Sequence, residues 1–176
     1  SCTMKYNPKV NEVVASDPNF ASLHPFTPTR FAQGALEVIY ELGEQLKGIT
    51  GFNHVTLQPP AGASGELTGL LLMRKYHEDH GDLKRNRVII PDSAHGTNPA
   101  TINFAGCEVV ELASKEDGTV DVETVREAAD DRLVGMMITN PNTLGIFESN
   151  IQEVSKIVHD AGGFMYMDGA NLNALL

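Results

Sequence analysis

The sequence predicts an α/β fold in which crossover helices connect a mostly parallel sheet. Five short apolar runs recur along the 176 residues, and stretches with helical periodicity lie between them. The runs are residues 55–57, 88–90, 109–112, 133–138 and 164–167. Short apolar runs are typical of strands buried on both faces, and alternation of strands with helices is typical of parallel sheets. We therefore expect one main domain with a single core.

The chain before the sheet is predicted to be an arm followed by a long helix. Residues 1–26 contain proline and asparagine without a clear period, which predicts an arm lying on a surface. Thr27-Pro28 supplies an N-cap and a first-turn proline, and apolar residues then recur at helical steps to about Lys47. The predicted domains are thus residues 1–48, the arm and helix, and residues 49–176, the α/β domain.

Three further helices are predicted between the apolar runs. One follows Gly65 and carries leucines at positions 67, 70 and 71. The second is capped by Asp121, and the third begins at about Asn150 with apolar residues at helical spacing. Each would cross over between neighbouring parallel strands.

Charge and composition exclude several classes of protein. The net charge is −10 and the pI is near 4.9, so nucleic acids and anionic membranes would repel the chain. No apolar run of about 18 residues occurs, which argues against a membrane span. Cys2 and Cys107 lack metal-ligand spacing, so we expect free thiols, no metal site and a cytoplasmic location.

Two loops at the predicted carboxyl ends of strands carry candidate ligand-binding residues, since ligands of open parallel sheets bind there. Residues 58–66 form a turn of small residues that opens into a helix, where glycine N–H groups and the Ser64 hydroxyl could bind a phosphate. An ordinary tight turn explains this segment equally well. His95 follows the second run among small residues and could stack on a planar ligand, although single histidines more often have structural roles.

Two later loops also carry candidate ligand-binding residues. Residues 139–145 place short polar side chains after the fourth run, and simple turn geometry explains them well. Asp168 ends the fifth run, where a buried carboxylate requires a cationic or hydrogen-bonding partner. It either caps the next turn or meets a protonated ring nitrogen. A phosphate cradle, a stackable imidazole and a carboxylate for a ring nitrogen are together what pyridoxal phosphate requires.

Four segments of the sequence resemble one family. Residues 1–8, 58–66, 94–99 and 166–171 are similar to glycine dehydrogenase (decarboxylating), the P-protein of the glycine cleavage system. The opening segment resembles the second subunit of the split form of that protein. The resemblance implies the aminotransferase-like fold of type I pyridoxal-phosphate enzymes, with residues 49–176 as an incomplete large, cofactor-binding domain.

The resemblance also implies an activity and its partners. The enzyme would use pyridoxal phosphate to decarboxylate glycine and would transfer the aminomethyl group to the lipoyl group of H-protein. The other P-protein subunit would be a further partner, in an oligomer. His95 and Asp168 would be the catalytic residues. The implied cofactor-binding residues are Ala63, Ser64 and Gly65 for the phosphate, His95 and Asp168 for the ring, Thr143 or Asn142 for the ring hydroxyl, and Thr97 and Ala170.

The sequence departs from the family in one respect. The resemblance implies a cofactor-binding lysine downstream of Asp168, whereas the last of the seven lysines in this sequence is Lys156. We therefore expect an excised fragment that does not itself decarboxylate glycine. Later strands, which are expected to lie in the sheet between the first strand and the fifth, are missing as well. Their absence would expose sheet edges and favour a non-native oligomer or a rearranged first helix.

Three alternatives remain open at the level of sequence. The chain could come from another type I pyridoxal-phosphate enzyme, such as an aminotransferase, a desulfurase or an aldolase. It could be a non-catalytic fragment that associates with a sister subunit through its arm and first helix. A nucleotide-binding α/β domain is the third alternative, but the required glycine spacing is absent.

Overall fold

A computed structural model describes residues 8–174 of the chain, with the side chain of residue 174 excluded. The predicted arm therefore lies partly, in residues 1–7, outside the described residues. The chain divides into two compact units, and the boundary falls between Pro60 and Ala61. None of the helices within residues 8–174 combines the length and apolarity that crossing a bilayer requires.

The first unit is helical. It contains α1 (Lys9–Ala15), α2 (Pro18–Ala21), a 3-10 turn (Thr29–Phe31) and α3 (Gln33–Thr50). Helices α1 and α2 lie in the segment predicted to be an arm, where the sequence has no clear helical period. Asp17 caps α2 by accepting a hydrogen bond from the Asn19 N–H, at 2.8 Å.

The long helix was predicted with the wrong start. Pro28 leads into the 3-10 turn rather than into an α-helix, and α3 begins only at Gln33, after Ala32 with φ of −112°. The helix ends at Thr50, and the next residue, Gly51, has a φ of +73°, a left-handed conformation that glycine adopts without strain. A 3-10 turn thus precedes the start of α3, and a left-handed glycine follows its end.

Residues 55–57 do not form the predicted strand. Residues 54–59 have no regular secondary structure, and Val55 and Leu57 are only half-buried. A strand exists only where its backbone N–H and C=O groups pair with a neighbour, and a three-residue apolar run carries no information about whether such a neighbour is present. The apolar content of residues 55–57 was therefore not sufficient to predict a strand.

The second unit is an α/β layer structure. Its strands are β1 (Arg87–Pro91), β2 (Glu108–Leu112), β3 (Leu133–Thr139) and β4 (Phe164–Asp168). Its helices are α4 (Gly62–Asp79), α5 (Thr97–Phe104), α6 (Val122–Ala128) and α7 (Ile151–Asp160). The four strands form one parallel sheet in the order β2-β1-β3-β4. The predicted α/β class, the parallel sheet and four of the five apolar runs are thus confirmed.

The helices of this unit were predicted with mixed success. Asp121 caps α6 as expected, accepting from the Glu123 N–H at 3.0 Å, and α7 begins directly after Asn150. Helix α4 begins at Gly62, earlier than expected, because Gly62 to Ser64 join its first turn. Helix α5 was missed, because its sequence begins with polar residues and a proline that were interpreted as a loop.

Both faces of the sheet are covered. Val88 and Ile90 of β1 pack with Leu70 of α4 and Ile102 of α5, whereas Ile89 packs with the cluster that includes α6 and α7. Neighbouring residues of a strand point to opposite faces, so burial on both sides requires continuous apolar sequence. The carboxyl ends of β1, β3 and β4 lie at one edge of the sheet, where Thr139 pairs with Asp168.

The close contact between β3 and β4 provides a test of the register in which these two strands pair. A Cβ added at Gly135 would lie 2.3 Å from the backbone carbonyl oxygen of Phe164. We expect Gly135→Ala to destabilise the protein by about 2 kcal/mol or more, because backbone must move to admit the methyl group. Chemical denaturation measures this. Gly96→Ala is the control, since nothing lies within 4 Å of its added Cβ, and equal stability of the two variants would contradict the register.

Candidate cofactor site

The centre of the candidate site is a buried carboxylate on α4. Glu66 is 3% exposed. Its Oε1 accepts from the Thr97 hydroxyl at 2.5 Å, and its Oε2 accepts from Asn98 Nδ2 at 2.9 Å and from the Thr101 hydroxyl at 3.1 Å. A buried carboxylate is tolerated when donors meet it, and hydrogen bonds to a charged acceptor are the stronger kind. Glu66 therefore binds α5 to the first turns of α4.

His95 lies beside this carboxylate, in the loop between β1 and α5. Its backbone N–H donates to the Thr139 hydroxyl at the end of β3, at 2.9 Å. Its ring Nδ1 lies 2.8 Å from Thr97 Oγ1, the same hydroxyl that bonds Glu66. One contact thus holds the backbone of His95 and the other holds its half-buried imidazole.

Asp168 ends β4 as predicted and is 7% exposed. Its Oδ1 accepts from the Ala170 N–H at 2.9 Å, so the carboxylate caps the following turn. Its Oδ2 accepts from Asn98 Nδ2 at 3.3 Å. Asn98 thus connects Asp168 with Glu66, and within the described part of the chain its buried Oδ1 has no hydrogen-bond partner.

Glu66, His95 and Asp168 converge in space from three elements of the fold. One potential ligand atom of each lies within 4.8 Å of the others. That spacing would also suit a metal ion, although no metal site was predicted from the sequence. The carboxylate oxygens of Glu66 accept three hydrogen bonds and those of Asp168 accept two, so Asp168 has more remaining capacity to accept from a ligand.

The predicted phosphate cradle is the N-terminus of α4, one turn before Glu66. Its N-cap residue, Ala61, makes no side-chain capping bond, and the first N–H groups of an α-helix have no partners within the helix. Ala63 and Ser64 line a cavity of about 380 Å³ together with Thr97. Gly65 is not among the lining residues. A helix N-terminus of this kind favours an anion.

Tyr166 packs on the same helix. A Cβ added at Gly69 would lie 2.9 Å from two carbons of the Tyr166 ring, so glycine is required for this approach. Burial, assisted by the negative charges of Asp168 and Glu66, raises the pKa of Tyr166 to about 12. Its phenol therefore stays neutral beside the carboxylates at physiological pH.

Thr143 and Asn142 have other contacts. The Thr143 hydroxyl donates to the Ser93 carbonyl at 2.9 Å, and Thr143 lines a separate cavity of about 360 Å³ with Ser93 and Ser114. Asn142 Nδ2 donates to the Gly118 carbonyl at 2.9 Å, while its Oδ1 accepts two backbone N–H groups of its own loop. Both side chains are thus engaged in holding loops, and their role toward a ring hydroxyl stays a prediction.

Sequence reasoning missed the residues that connect the site: Glu66, Asn98, Thr101 and Tyr166. One signal was available for Glu66, which lies four residues before Leu70 and therefore on the buried face of α4. An acid on an apolar helix face indicates a buried polar contact. The partners on α5 gave no such signal, because α5 itself was not predicted.

Comparison with solved structures identifies the fold. The crystal structure of glycine decarboxylase (P-protein) of the glycine cleavage system, in inhibitor-bound form, superposes with a TM-score of 0.74 at 21% identity, over 91% of this chain and 35% of that one. A Thermus thermophilus aspartate aminotransferase mutant gives 0.56 at 22% identity, over 72% and 33%. The fold is therefore that of aminotransferase-like, type I pyridoxal-phosphate enzymes, as a partial domain.

Sequence relatives of the chain share one name. The chain is 55% identical over all 176 residues to the probable glycine dehydrogenase (decarboxylating) subunit 2 of Pyrococcus horikoshii and 56% identical to that of Bacillus licheniformis. It covers 35% and 36% of these relatives, about a third of their length. No family model matches the chain. Over all of its 176 residues, the chain is thus similar to about a third of proteins named probable glycine dehydrogenase (decarboxylating) subunit 2.

The bridging role of Asn98 can be tested by substitution. Asn98→Ala removes the shared donor from two buried carboxylates, and we expect a loss of about 2 to 4 kcal/mol of stability. Asn103→Ala is the matched control, because Asn103 lies on the same helix and is exposed; it should change stability by less than about 0.5 kcal/mol. Thermal or urea denaturation of both variants measures the difference in stability. Equal losses in the two variants would contradict the bridging role of Asn98.

Proposed function

We propose that this chain carries the pyridoxal-phosphate site of a glycine dehydrogenase (decarboxylating), the P-protein of a glycine cleavage system. The observation that carries the proposal is the convergence of His95 and Asp168 on the Glu66 network, beside the uncapped N-terminus of α4. The family of the relatives supports the same assignment.

The residues present fit this cofactor. The first turn of α4, at Ala63, Ser64 and Gly65, offers N–H groups for a phosphate. The imidazole of His95 offers a planar face for the pyridine ring. The buried carboxylate of Asp168 accepts only two neutral donors among the described residues, which suits a positively charged partner such as a protonated ring nitrogen.

Two further contacts belong to the proposal. Thr97 lines the cavity with Ala63 and Ser64, and Ala170 positions the Asp168 carboxylate through its N–H. A contact of Thr143 or Asn142 with the ring hydroxyl is also part of the proposal.

When bound, pyridoxal phosphate supplies an electron-accepting ring that makes decarboxylation of an amino acid possible. Asp168 would hold the proton on the ring nitrogen, because a buried carboxylate favours positive charge beside it. His95 would fix the plane of the ring. Glycine, the lipoyl group of H-protein and the other P-protein subunit are the proposed partners, and a cytoplasmic location remains a prediction.

The proposal requires non-covalent binding by this chain. Lys156, the last lysine in the sequence, is exposed on α7 and pairs with Asp160 at 2.5 Å. A site without the covalent bond would still have its phosphate, ring-face and ring-nitrogen contacts. We therefore expect cofactor binding without decarboxylation of glycine.

Titration with pyridoxine 5′-phosphate tests the site. This analogue has an alcohol in place of the aldehyde, so surface lysines cannot react with it. We expect saturable binding by calorimetry, weakened at least about tenfold (1.4 kcal/mol) in His95→Ala and in Asp168→Ala. His159→Ala is the control, since His159 is exposed at the end of α7. Absence of saturable binding would overturn the proposal.

A second function, association with another subunit, is favoured by one observation. None of the 18 residues of α3 is buried, although several are large and apolar, among them Val38, Ile39 and Leu42, which are 53%, 47% and 44% exposed. Exposed apolar surface of this kind is typical of interaction sites.

Light scattering after size exclusion tests association. We expect the chain to form an oligomer, and we expect Val38→Glu with Leu42→Glu to shift it towards the monomer, because charges on the apolar face oppose burial. Glu41→Lys, on the same helix at an already polar position, is the control. A compact monomer for the unmodified chain would count against this function.

A further inference from the structure

Three polar groups form a hydrogen-bonded chain from α4 to the candidate ring-stacking residue. Glu66 Oε1 and Thr97 Oγ1 are 2.5 Å apart, and Thr97 Oγ1 and His95 Nδ1 are 2.8 Å apart. A second contact competes for the same ring nitrogen, because the Thr97 N–H points at His95 Nδ1 at 3.3 Å. The two contacts to Nδ1 require different protonation of the imidazole.

Counting protons distinguishes the two patterns. A carboxylate only accepts hydrogen bonds, and a hydroxyl has one proton to donate. The Thr97 proton therefore belongs to Glu66, with which it makes the shorter, charge-assisted bond. Thr97 Oγ1 can then only accept from the imidazole, so His95 Nδ1 must carry a proton. The contact from the Thr97 N–H would need a bare Nδ1 and is the longer one.

We propose that Glu66 is a positioning residue that acts through the Thr97 hydroxyl to hold His95 in the tautomer protonated at Nδ1, leaving Nε2 as the free ring nitrogen. Because the partner of one ring nitrogen determines what the other can do, a carboxylate that never touches the ligand would decide the chemistry available at Nε2. The importance of the His95 tautomer for catalysis rests on the proposed function. The inference about which tautomer is present does not depend on that function.

Glu66 is also connected, through one intervening side chain, to Asp168, the second candidate catalytic residue. Asn98 Nδ2 donates to Glu66 Oε2 at 2.9 Å and to Asp168 Oδ2 at 3.3 Å. This orients the Asn98 amide with its nitrogen towards both carboxylates. One buried side chain thus sets the proton position on His95 and supports the carboxylate of Asp168.

A simpler role for Glu66 would be to fasten α5 to α4, and nuclear magnetic resonance separates the two. Long-range ¹H–¹⁵N spectra of the ¹⁵N-labelled chain, recorded without cofactor at about pH 8.5 where imidazoles are neutral, report each histidine tautomer. The chain contains references for both forms. His77 Nε2 faces the Val134 carbonyl at 3.3 Å and must carry its proton there, whereas His80 Nδ1 faces the Tyr76 carbonyl at 2.7 Å.

The signals of His95 are assigned by their loss in His95→Gln. We expect their pattern to be that of the tautomer seen at His80, protonated at Nδ1, rather than that seen at His77. Thr97→Val should convert it to the opposite tautomer, because the Thr97 N–H then becomes the partner of Nδ1. Thr97→Ser should restore the original form. Glu66→Gln should also convert it, since the glutamine amide can donate to Thr97 and release the hydroxyl proton towards Nδ1. An unchanged His77 signal shows that each variant is folded.

A His95 that matches His77 in the unmodified chain, or one that keeps its tautomer in Thr97→Val, would overturn the inference. Thr97→Val keeps the test decisive if Glu66→Gln fails to fold. Because no cofactor is present, failure of pyridoxine 5′-phosphate to bind would contradict the proposed function and leave this result untouched.

Discussion

The carboxylate of Glu66 lies almost fully buried between α4 and α5, and the rest of the candidate site depends on how it is satisfied. An unpaired carboxylate at that depth would cost several kcal/mol, so three donors of α5 are held against it. Two of those donors have a second partner each, His95 and Asp168. Satisfying one buried charge therefore places both candidate catalytic groups.

The sheet supplies the other half of the geometry. Parallel strands bring their carboxyl ends to one edge, and the β3–β4 register sets Asp168 beside Thr139, whose hydroxyl holds the His95 backbone. Close approach at Gly135 is a condition of that register, because any side chain there would meet the backbone of β4. Packing at the centre of the sheet and polar contacts at its edge thus constrain the same few residues.

Much of this could be predicted from the sequence, for identifiable reasons. Short, mostly apolar runs indicate buried strands, and four of the five runs became strands of one parallel sheet, although the run at residues 109–112 includes the exposed Glu111. Asp168 was expected at a strand end because a polar residue there breaks an apolar run. Residues 55–57 and helix α5 were predicted wrongly, since a short apolar run does not reveal whether a partner strand exists, and polar residues at a helix start resemble a loop.

By itself, the sequence determined the fold class, the resemblance to glycine dehydrogenase (decarboxylating) and the choice of His95 and Asp168 as candidates, because these follow from local patterns and motifs along the chain. Only the tertiary structure decided that Glu66, Thr97 and Asn98 join those candidates into one network, and that Thr143 and Asn142 are engaged elsewhere. The physical reason is that hydrogen bonds of buried polar groups depend on distance and direction in space. The bonded residues are 31 and 70 positions apart in the sequence, and no local pattern indicates that they meet.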